Sequence, residues 1–302
     1  MTHSALRFGL EFSVIIPTRQ RLETLISALT RIESAVQSFP ANNYEVIVTD
    51  DAPAPGAAAE LAERFPWVRW TSGPRRGPAA NRNHGARQAR GAWLVFTDDD
   101  CLPDPGWLAA YAAGRAAHPN ARVLEGRTYA DRPRRSLWET SPINETGGHL
   151  WSCNFAIENA FFRELGGFDE RFIWATMEDM DLAERLRERH VDFPFVPDAA
   201  VCHPWRPADP RHASSRHVPS LLLFLQLHPR RAAEHRPVFY ARAIIKGFFQ
   251  TVLPLLFTGQ WRELGPCWHG TVGAWRLMWN VPRISRHPHP LEPGPQPWPA
   301  EY

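Results

Sequence analysis

Apolar and polar positions change period in a regular way along the first 130 residues. Four short runs rich in β-branched and aromatic residues read as strands: "FSVIIPT" (12–18), "YEVIVTDD" (44–51), "WVRWTS" (67–72) and "WLVFTDDD" (93–100). The segments between them follow a helical period. Over 21–36, Leu22, Leu25, Ile26, Leu29, Ile32 and Val36 share one face. Residues 55–65 and 77–90 read as further helices, the second opened by Gly77 and Pro78, since proline suits a first turn that needs no N–H donor. Strands alternating with helices at this spacing predict an α/β fold, a mostly parallel sheet covered by helices.

The pattern then loosens. Residues 121–129 read as a strand, 131–154 as loop-rich, and 158–167 as a helix closed by the pair Gly166-Gly167, a left-handed cap. Residues 177–190 form an amphipathic helix with acids in its first turn and arginines later, as the helix dipole favours. Residues 191–204 read as a strand and a short return. After Arg206 proline and histidine rise and the regular pattern weakens. Two apolar runs stand out there, 218–229 and 238–261, the second interrupted by Arg242, Lys246, Gln250 and Pro254. Neither reaches the roughly 18 apolar residues of a spanning helix. The expectation is a helical, partly amphipathic region over 207–285 that packs on the preceding domain, forms a homo-oligomer or lies on a membrane surface. A Pro-rich, extended or disordered tail is expected over 286–302.

Composition narrows the partners. The net charge of +2 over 302 residues gives no reason to expect nucleic acid. Lys246 is the single lysine among 34 basic residues, a skew of the kind a GC-rich genome produces. The four cysteines are scattered without a Cys-x-x-Cys pair, so neither a structural zinc site nor a disulfide framework is expected. The opening "MTHSALRFGLEF" lacks the basic start and apolar core of a secretory signal. The expected location is cytoplasmic, peripheral at the inner membrane face if the second apolar run rests on lipid.

Both acidic clusters, Asp50-Asp51 and Asp98 to Asp100, fall at the carboxyl ends of predicted strands, where open α/β sheets bind ligands. Three adjacent carboxylates repel one another. They suit either a solvated turn or a site for Mg²⁺ or Mn²⁺, hard cations that take carboxylate oxygens alongside substrate phosphates. Asp98 and Asp100, two apart in an extended segment, face one side, and Asp99 the other. Glu178 and Asp179 open the later helix. They either compensate its dipole or supply a general base whose pKa is raised near a buried apolar segment. Asp181 reads as a structural acid.

The segments "FSVIIPTRQR", "YEVIVTDD", "GPAANRNHGARQARGAWLVFTDDDCLPDPGWL", "CNFAIENAFFRELGGFDERF" and "EDMDLAERL" resemble, in order and spacing, family 2 glycosyltransferases of the GT-A fold. The resemblance covers about residues 12–205. It implies a Rossmann-like GT-A catalytic domain over 10–206, with a nucleotide-sugar half (10–120) and an acceptor half (121–206). It places Pro17, Thr18 and Arg19 along the nucleotide, Asp51 on the base, and Asp50 as a loop support. Arg82 and Asn83 would face the diphosphate. Asp98-x-Asp100 matches the DXD motif, with Asp100 the direct metal ligand, Asp98 near the ribose, and Asp99 counted with the nucleotide contacts. Asn154 would lie near the sugar or acceptor, Asp179 would be the catalytic base with Glu178 beside it, and His203 would complete the metal or diphosphate site.

The implied reaction is inverting transfer of one sugar from a nucleotide-diphosphate sugar, UDP favoured, using Mn²⁺ or Mg²⁺. The acceptor would be a carbohydrate, a lipid-linked or another small molecule, in glycan or glycoconjugate synthesis. Two departures bear on this. Asp51 is followed by "APAPG" rather than Gly-Ser, and no Gln-x-x-Arg-Trp motif of processive synthases is present, which favours single transfer. The competing readings are a degenerate nucleotide-sugar or glycan-binding relative and a nucleotidyltransferase. The latter would need a Gly-rich, Lys-containing phosphate loop that "VIIPTRQR" does not provide.

Overall fold

The four β-branched runs become the parallel part of one sheet: β1 (Phe12–Thr18), β2 (Tyr44–Asp50), β3 (Val68–Ser72) and β4 (Trp93–Thr97). A computed structural model describes residues 9–54, 56–209, 213–286, 296 and 298. Between these strands lie α1 (Leu22–Ile32), α2 (Ala58–Leu61) and α3 (Pro78–Arg87). Then follow β5 (Leu102–Pro103), α4 (Trp107–Ala117), β6 (Val123–Tyr129), β7 (Glu139–Thr140), β8 (Asn154–Glu158), α5 (Asn159–Glu164), α6 (Glu178–Glu188), β9 (Phe195–Cys202) and β10 (Arg206–Pro207). The sheet order is β3-β2-β1-β4-β8-β6-β9-β5, with β8 antiparallel to both β4 and β6, and β6 parallel to β9. One sheet thus holds strands from both sides of residue 120.

Side-chain alternation divides the core. Val14, Ile16, Val46 and Val48 face Leu25 and Leu29 of α1, whereas Ile15, Ile47 and Phe96 face Ala79, Ala86, Phe162 and Leu182 on the other side. Helix α3 lies unusually close to the sheet. A Cβ on Gly85 would come within 2.8 Å of Ile15 and 2.9 Å of Thr49. That closeness buries the polar Asn81, Arg82 and Asn83 against the strand ends.

The helix expected over 55–65 shrinks to the four residues of α2. Gly56 adopts a left-handed φ of 62°, and the Asp50 carboxylate accepts hydrogen bonds from Ala52 N (2.8 Å) and Ala57 N (2.6 Å), which fixes a loop where a first helical turn was expected. The Gly166-Gly167 cap forms as expected, both residues left-handed at φ 79° and 74°.

The chain divides into two compact units: 1–131 with 142–204 and 295–302, and 132–141 with 205–294. In the second unit β7 and β10 pair antiparallel, and helices Val218–Leu227, Pro237–Gly247 and Leu264–Arg286 form where the sequence pattern weakens. Glu263 ties these helices to the 132–141 segment, accepting from Ser136 Oγ (2.8 Å) and Leu137 N (2.7 Å). Leu221, Phe224 and Leu225 are buried, so the first apolar run packs within its own unit. No helix among the described residues is long and apolar enough to cross a membrane.

Most of the expected tail lies outside the described residues. Trp298 is described, and it docks on the first unit. Its ring meets Phe162 edge-on (5.5 Å between centroids), its Nε1 donates to Gly166 O (3.2 Å), and the Arg87 guanidinium sits 4.6 Å from its centroid. Losing this part-buried ring and its cation–π contact in Trp298→Ala should cost about 1–2 kcal/mol. That corresponds to a melting temperature lower by roughly 2–8 °C in a thermal scan.

Candidate functional site

Parallel strands bring the carboxyl ends of β1, β2 and β4 to one edge, and β6 and β9 run the same way as β4. Thr18, Asp50, the Asp98–Asp100 triplet and His203 therefore meet at one rim, although His203 is distant in sequence. The amino end of α6 adds Glu178 and Asp179.

The triplet was expected to continue the strand, with Asp98 and Asp100 on one side. Instead β4 ends at Thr97 and the three acids form a turn, closed by Cys101 N donating to Asp98 O (3.2 Å). Asp99 and Asp100 thus share Arg21, while Asp98 meets Arg82. Asp99 turns inward, 3% exposed, and accepts from Thr18 Oγ1 (2.7 Å) and Arg21 Nη1 (2.7 Å). Burial pushes its pKa up to about 6 against the pull of Arg21. It fastens the β1 loop to the end of β4, which differs from its expected place among nucleotide contacts. Asp98 reaches Arg82 Nη2 at 2.5 Å, and Asp100 pairs with Arg21 Nη2 at 3.0 Å. Arg19, expected along the nucleotide, is exposed, and the cation that meets the acids is Arg21. Gln20, at a left-handed φ of 55°, turns the loop between them.

Arg82 is the central cation. Only 3% of its side chain is exposed, and its second nitrogen contacts Glu178 Oε1 at 3.1 Å. Burial opposes its charge, but Asp98 and Glu178 outweigh that and hold its pKa above the usual range. Glu178 is equally buried, and its Oε2 has no hydrogen-bond partner among the described residues. Burial raises its pKa to about 8, Asp179 adds to the rise, and Arg82 opposes it. Asp179 keeps part of its surface exposed and accepts from Ser152 N (3.3 Å) and Met180 N (2.8 Å). Burial raises its pKa too, against those two hydrogen bonds.

At the same rim Asp100, Cys101 and His203 form a candidate cation cradle. His203 Nδ1 lies 3.1 Å from Pro204 O, an oxygen that can only accept, so Nδ1 carries the proton. Its Nε2 faces Asp100 Oδ1 at 3.3 Å, a carboxylate–imidazole pair that either a shared proton or a bound cation would join. Asp100, Cys101 and His203 place one ligand atom each within 4.8 Å of one another. Burial pushes the Cys101 thiol well above its usual range and it hydrogen-bonds to Cys153, so it remains a neutral thiol. Carboxylate oxygen plus imidazole nitrogen is a donor set that would suit Mn²⁺.

Other expected contacts are absorbed by the protein. Asn83 accepts from Phe168 N (2.9 Å) and donates to Phe168 O (2.9 Å) and Glu170 (3.0 Å), so it shapes the 166–170 loop rather than facing a diphosphate. Asn154, 1% exposed, accepts from Trp107 Nε1 (2.8 Å) and Tyr111 OH (2.7 Å) and donates to Arg127 O and Ala199 O (both 2.8 Å). All four of its hydrogen-bonding positions are used in the core, so a sugar has none to meet. Asp51 accepts from Arg75 N (2.9 Å) and Gly77 N (3.2 Å), holding the loop that leads into α3. Asn81, not singled out in the sequence, donates to Thr49 O (2.8 Å) and Thr18 O (3.4 Å), tying β2 to β1.

Near Asp50 a cavity of about 120 Å³ is lined by Ala52, Gly56, Trp70 and Ser72, and the buried Trp70 indole N–H has no partner among the described residues. On the other flank Glu125 accepts from Asn144 Nδ2 and from the Gly148, His149 and Leu150 amides at 2.6–2.7 Å. That loop presents His149 and Trp151 as stacked rings, 5.1 Å apart, next to the Ser152 amide that holds Asp179.

The chain is similar to several known proteins. The family model described as "Glycosyl transferase family 2" matches residues 13–178. Among curated relatives, the glycosyltransferase AglE of Haloferax volcanii is 35% identical over 215 residues, 65% of this chain and 67% of that protein. An uncharacterized glycosyltransferase of Haemophilus influenzae is 27% identical, covering 61% of this chain and 64% of its own length. The validoxylamine A glucosyltransferase of Streptomyces hygroscopicus subsp. jinggangensis is 25% identical over 80% of this chain and 65% of its own. The chain thus spans about two thirds of the length of these relatives. In fold, S. aureus TarS 1–349 in complex with UDP superposes with a TM-score of 0.55 at 20% identity, covering 72% of this chain and 64% of that one. GalNAc-T7 with UDP, GalNAc and Mn²⁺ gives 0.57 at 18% identity, covering 72% and 48%.

Proposed function

The chain belongs to glycosyl transferase family 2, and from that premise we propose that it transfers one sugar from a nucleoside-diphosphate sugar to an acceptor hydroxyl with inversion. The observation that carries this reading is the charge arrangement at one sheet edge: Asp100 and His203 face each other at 3.3 Å, beside Arg82 and the partly exposed Asp179. Asp100 and His203 would hold Mn²⁺, or less readily Mg²⁺, whose imidazole affinity is low. Such a cation supplies charge neutralisation for the leaving diphosphate.

The protein's own groups supply the rest. Thr18 and the preceding Pro17 border the nucleotide, and the cavity beside Trp70 takes the base, its indole N–H meeting an acceptor on the ring edge. Arg82 orients Asp98. Asp179 takes the proton from the acceptor hydroxyl as the oxygen attacks the face opposite the leaving group. Glu178, buried on Arg82, positions that helix end. The acceptor enters on the side of His149 and Trp151. The titles of the TarS and GalNAc-T7 structures name UDP, which makes UDP the first nucleotide to try.

Calorimetric titration of UDP, GDP and dTDP, each with and without Mn²⁺, tests the reading. One nucleotide should bind only with Mn²⁺, and Asp100→Ala should weaken that binding at least tenfold. Absence of binding by all three would favour a degenerate, non-catalytic relative.

A further inference from the structure

The second unit carries an apolar surface that its own packing does not use. Phe249, Phe257, Trp261, Trp268, Trp275 and Trp279 are each more than half exposed, and Phe257 reaches 83%. Soluble proteins rarely leave so many large rings open within so short a stretch.

The helix Leu264–Arg286 shows how the rings are organised. Gly273, Leu277 and Val281, spaced by four, form its buried stripe. At 3.6 residues per turn, Trp268, Trp275 and Trp279 fall on one line on the opposite side. Trp275 and Trp279 meet edge-on with centroids 6.4 Å apart. This helix is therefore apolar on two opposed faces, only one of which is covered by its own unit. It packs against Pro237–Gly247, where Val238 and Ile245 are likewise exposed and alternate with the exposed cations Arg242 and Lys246.

Charge decides what covers the open face. Residues 213–286 hold ten Lys/Arg and two Asp/Glu, whereas the whole chain holds 34 and 32. Both acids are engaged: Glu234 with Arg231, and Glu263 with Ser136 and Leu137. The rest of the chain is thus net acidic and this segment strongly basic. A second copy laid face to face would set cation against cation. An anionic lipid surface offers the complementary charge, and tryptophan is the side chain that prefers the boundary between headgroup and acyl chain.

We propose that the region from Pro237 to about Arg286 docks the protein on an anionic phospholipid surface. The helices lie in the plane of the interface, with the tryptophan line inserted and Arg242, Lys246 and Arg262 at headgroup level. This goes beyond glycosyl transfer and stands without it, since it rests on the second unit alone.

Flotation of the full chain with vesicles tests it. The protein should rise with phosphatidylcholine vesicles containing about 30% phosphatidylglycerol, and at least tenfold less with phosphatidylcholine alone or in 0.5 M salt. The triple substitution Trp268→Ser, Trp275→Ser, Trp279→Ser should cut anionic flotation at least tenfold with the circular dichroism spectrum unchanged. As a check independent of that variant's folding, brominated lipids should quench the wild-type tryptophan fluorescence on anionic vesicles. No flotation with anionic vesicles, equal flotation with neutral ones, or flotation without quenching would each overturn the proposal. So would a light-scattering dimer that binds no vesicles.

Discussion

Asp179→Asn is expected to leave Mn²⁺-dependent nucleotide binding within about twofold of wild type and to slow sugar transfer by about 10²–10⁴, the usual contribution of a positioned general base. The geometry separates the two effects. Asp179 touches the Ser152 and Met180 amides and keeps an open surface, whereas the groups assigned to the donor are Asp100, His203 and the Trp70 cavity. Asparagine keeps an acceptor oxygen for one of those amides but has no basicity at neutral pH. Because burial raises the Asp179 pKa, the acid limb of kcat/KM against pH should lie above the ordinary carboxylate range near 4, with activity rising with pH as Asp179 ionises. Nucleotide calorimetry and a single-turnover transfer assay on the same preparation check this. Parallel loss of donor binding would remove Asp179 from the base role and make it part of the donor cradle.

The sheet was legible because its strands are buried on both faces. Seven-residue runs such as Phe12–Thr18 and Tyr44–Asp50 leave no polar stripe, and the second ends at a carboxylate, so both the strands and their polar edge appear in the sequence. The facings of the acids were not legible from strand period, because the chain turns immediately after Thr97 and brings Asp99 and Asp100 together on Arg21. Loop geometry was not legible. A left-handed Gln20 delivers Arg21, not Arg19, to the acids, and no periodic pattern encodes that turn. The roles of Asn83 and Asn154 differ from expectation for a related reason. An amide beside a site serves a ligand or the core equally well in sequence, and here Trp107, Tyr111 and Phe168 claim them. His203 reaches Asp100 only through the sheet order β6-β9-β5, a tertiary fact without a local signal. The exposed tryptophans were hidden in a region read as weakening pattern. Two opposed apolar stripes on one helix blur the periodicity that a single stripe would show.

Arg82→Leu should be the most destabilising single change in this site, costing about 3–5 kcal/mol, because it strands the buried Glu178 carboxylate, which shares this cation with the half-buried Asp98. Leucine retains apolar contact with Phe168, whose ring centroid lies 5.7 Å from the guanidinium, so the loss is chiefly electrostatic. The pH dependence distinguishes this from a packing defect. In the wild type, Glu178 has a folded pKa of about 8 against an ordinary value of 4.5. The folded state then binds more protons than the unfolded state between those limits, and stability falls as pH rises through that window. Without Arg82 the folded pKa climbs further, so the fall extends to higher pH, with a slope of up to about 1.4 kcal/mol per pH unit for each proton involved. The two lose stability in parallel until Glu178 ionises near pH 8 in the wild type, so the variant should lie closer to wild type at about pH 6 than at about pH 9.5 in urea unfolding. Adding Glu178→Gln should recover part of the loss at about pH 9.5, because the amide leaves no charge to strand. A deficit that is the same at both pH values, and untouched by Glu178→Gln, would mean that Arg82 matters for shape and not for charge. The amino end of α6 would then have to be held in place by something other than this ion pair.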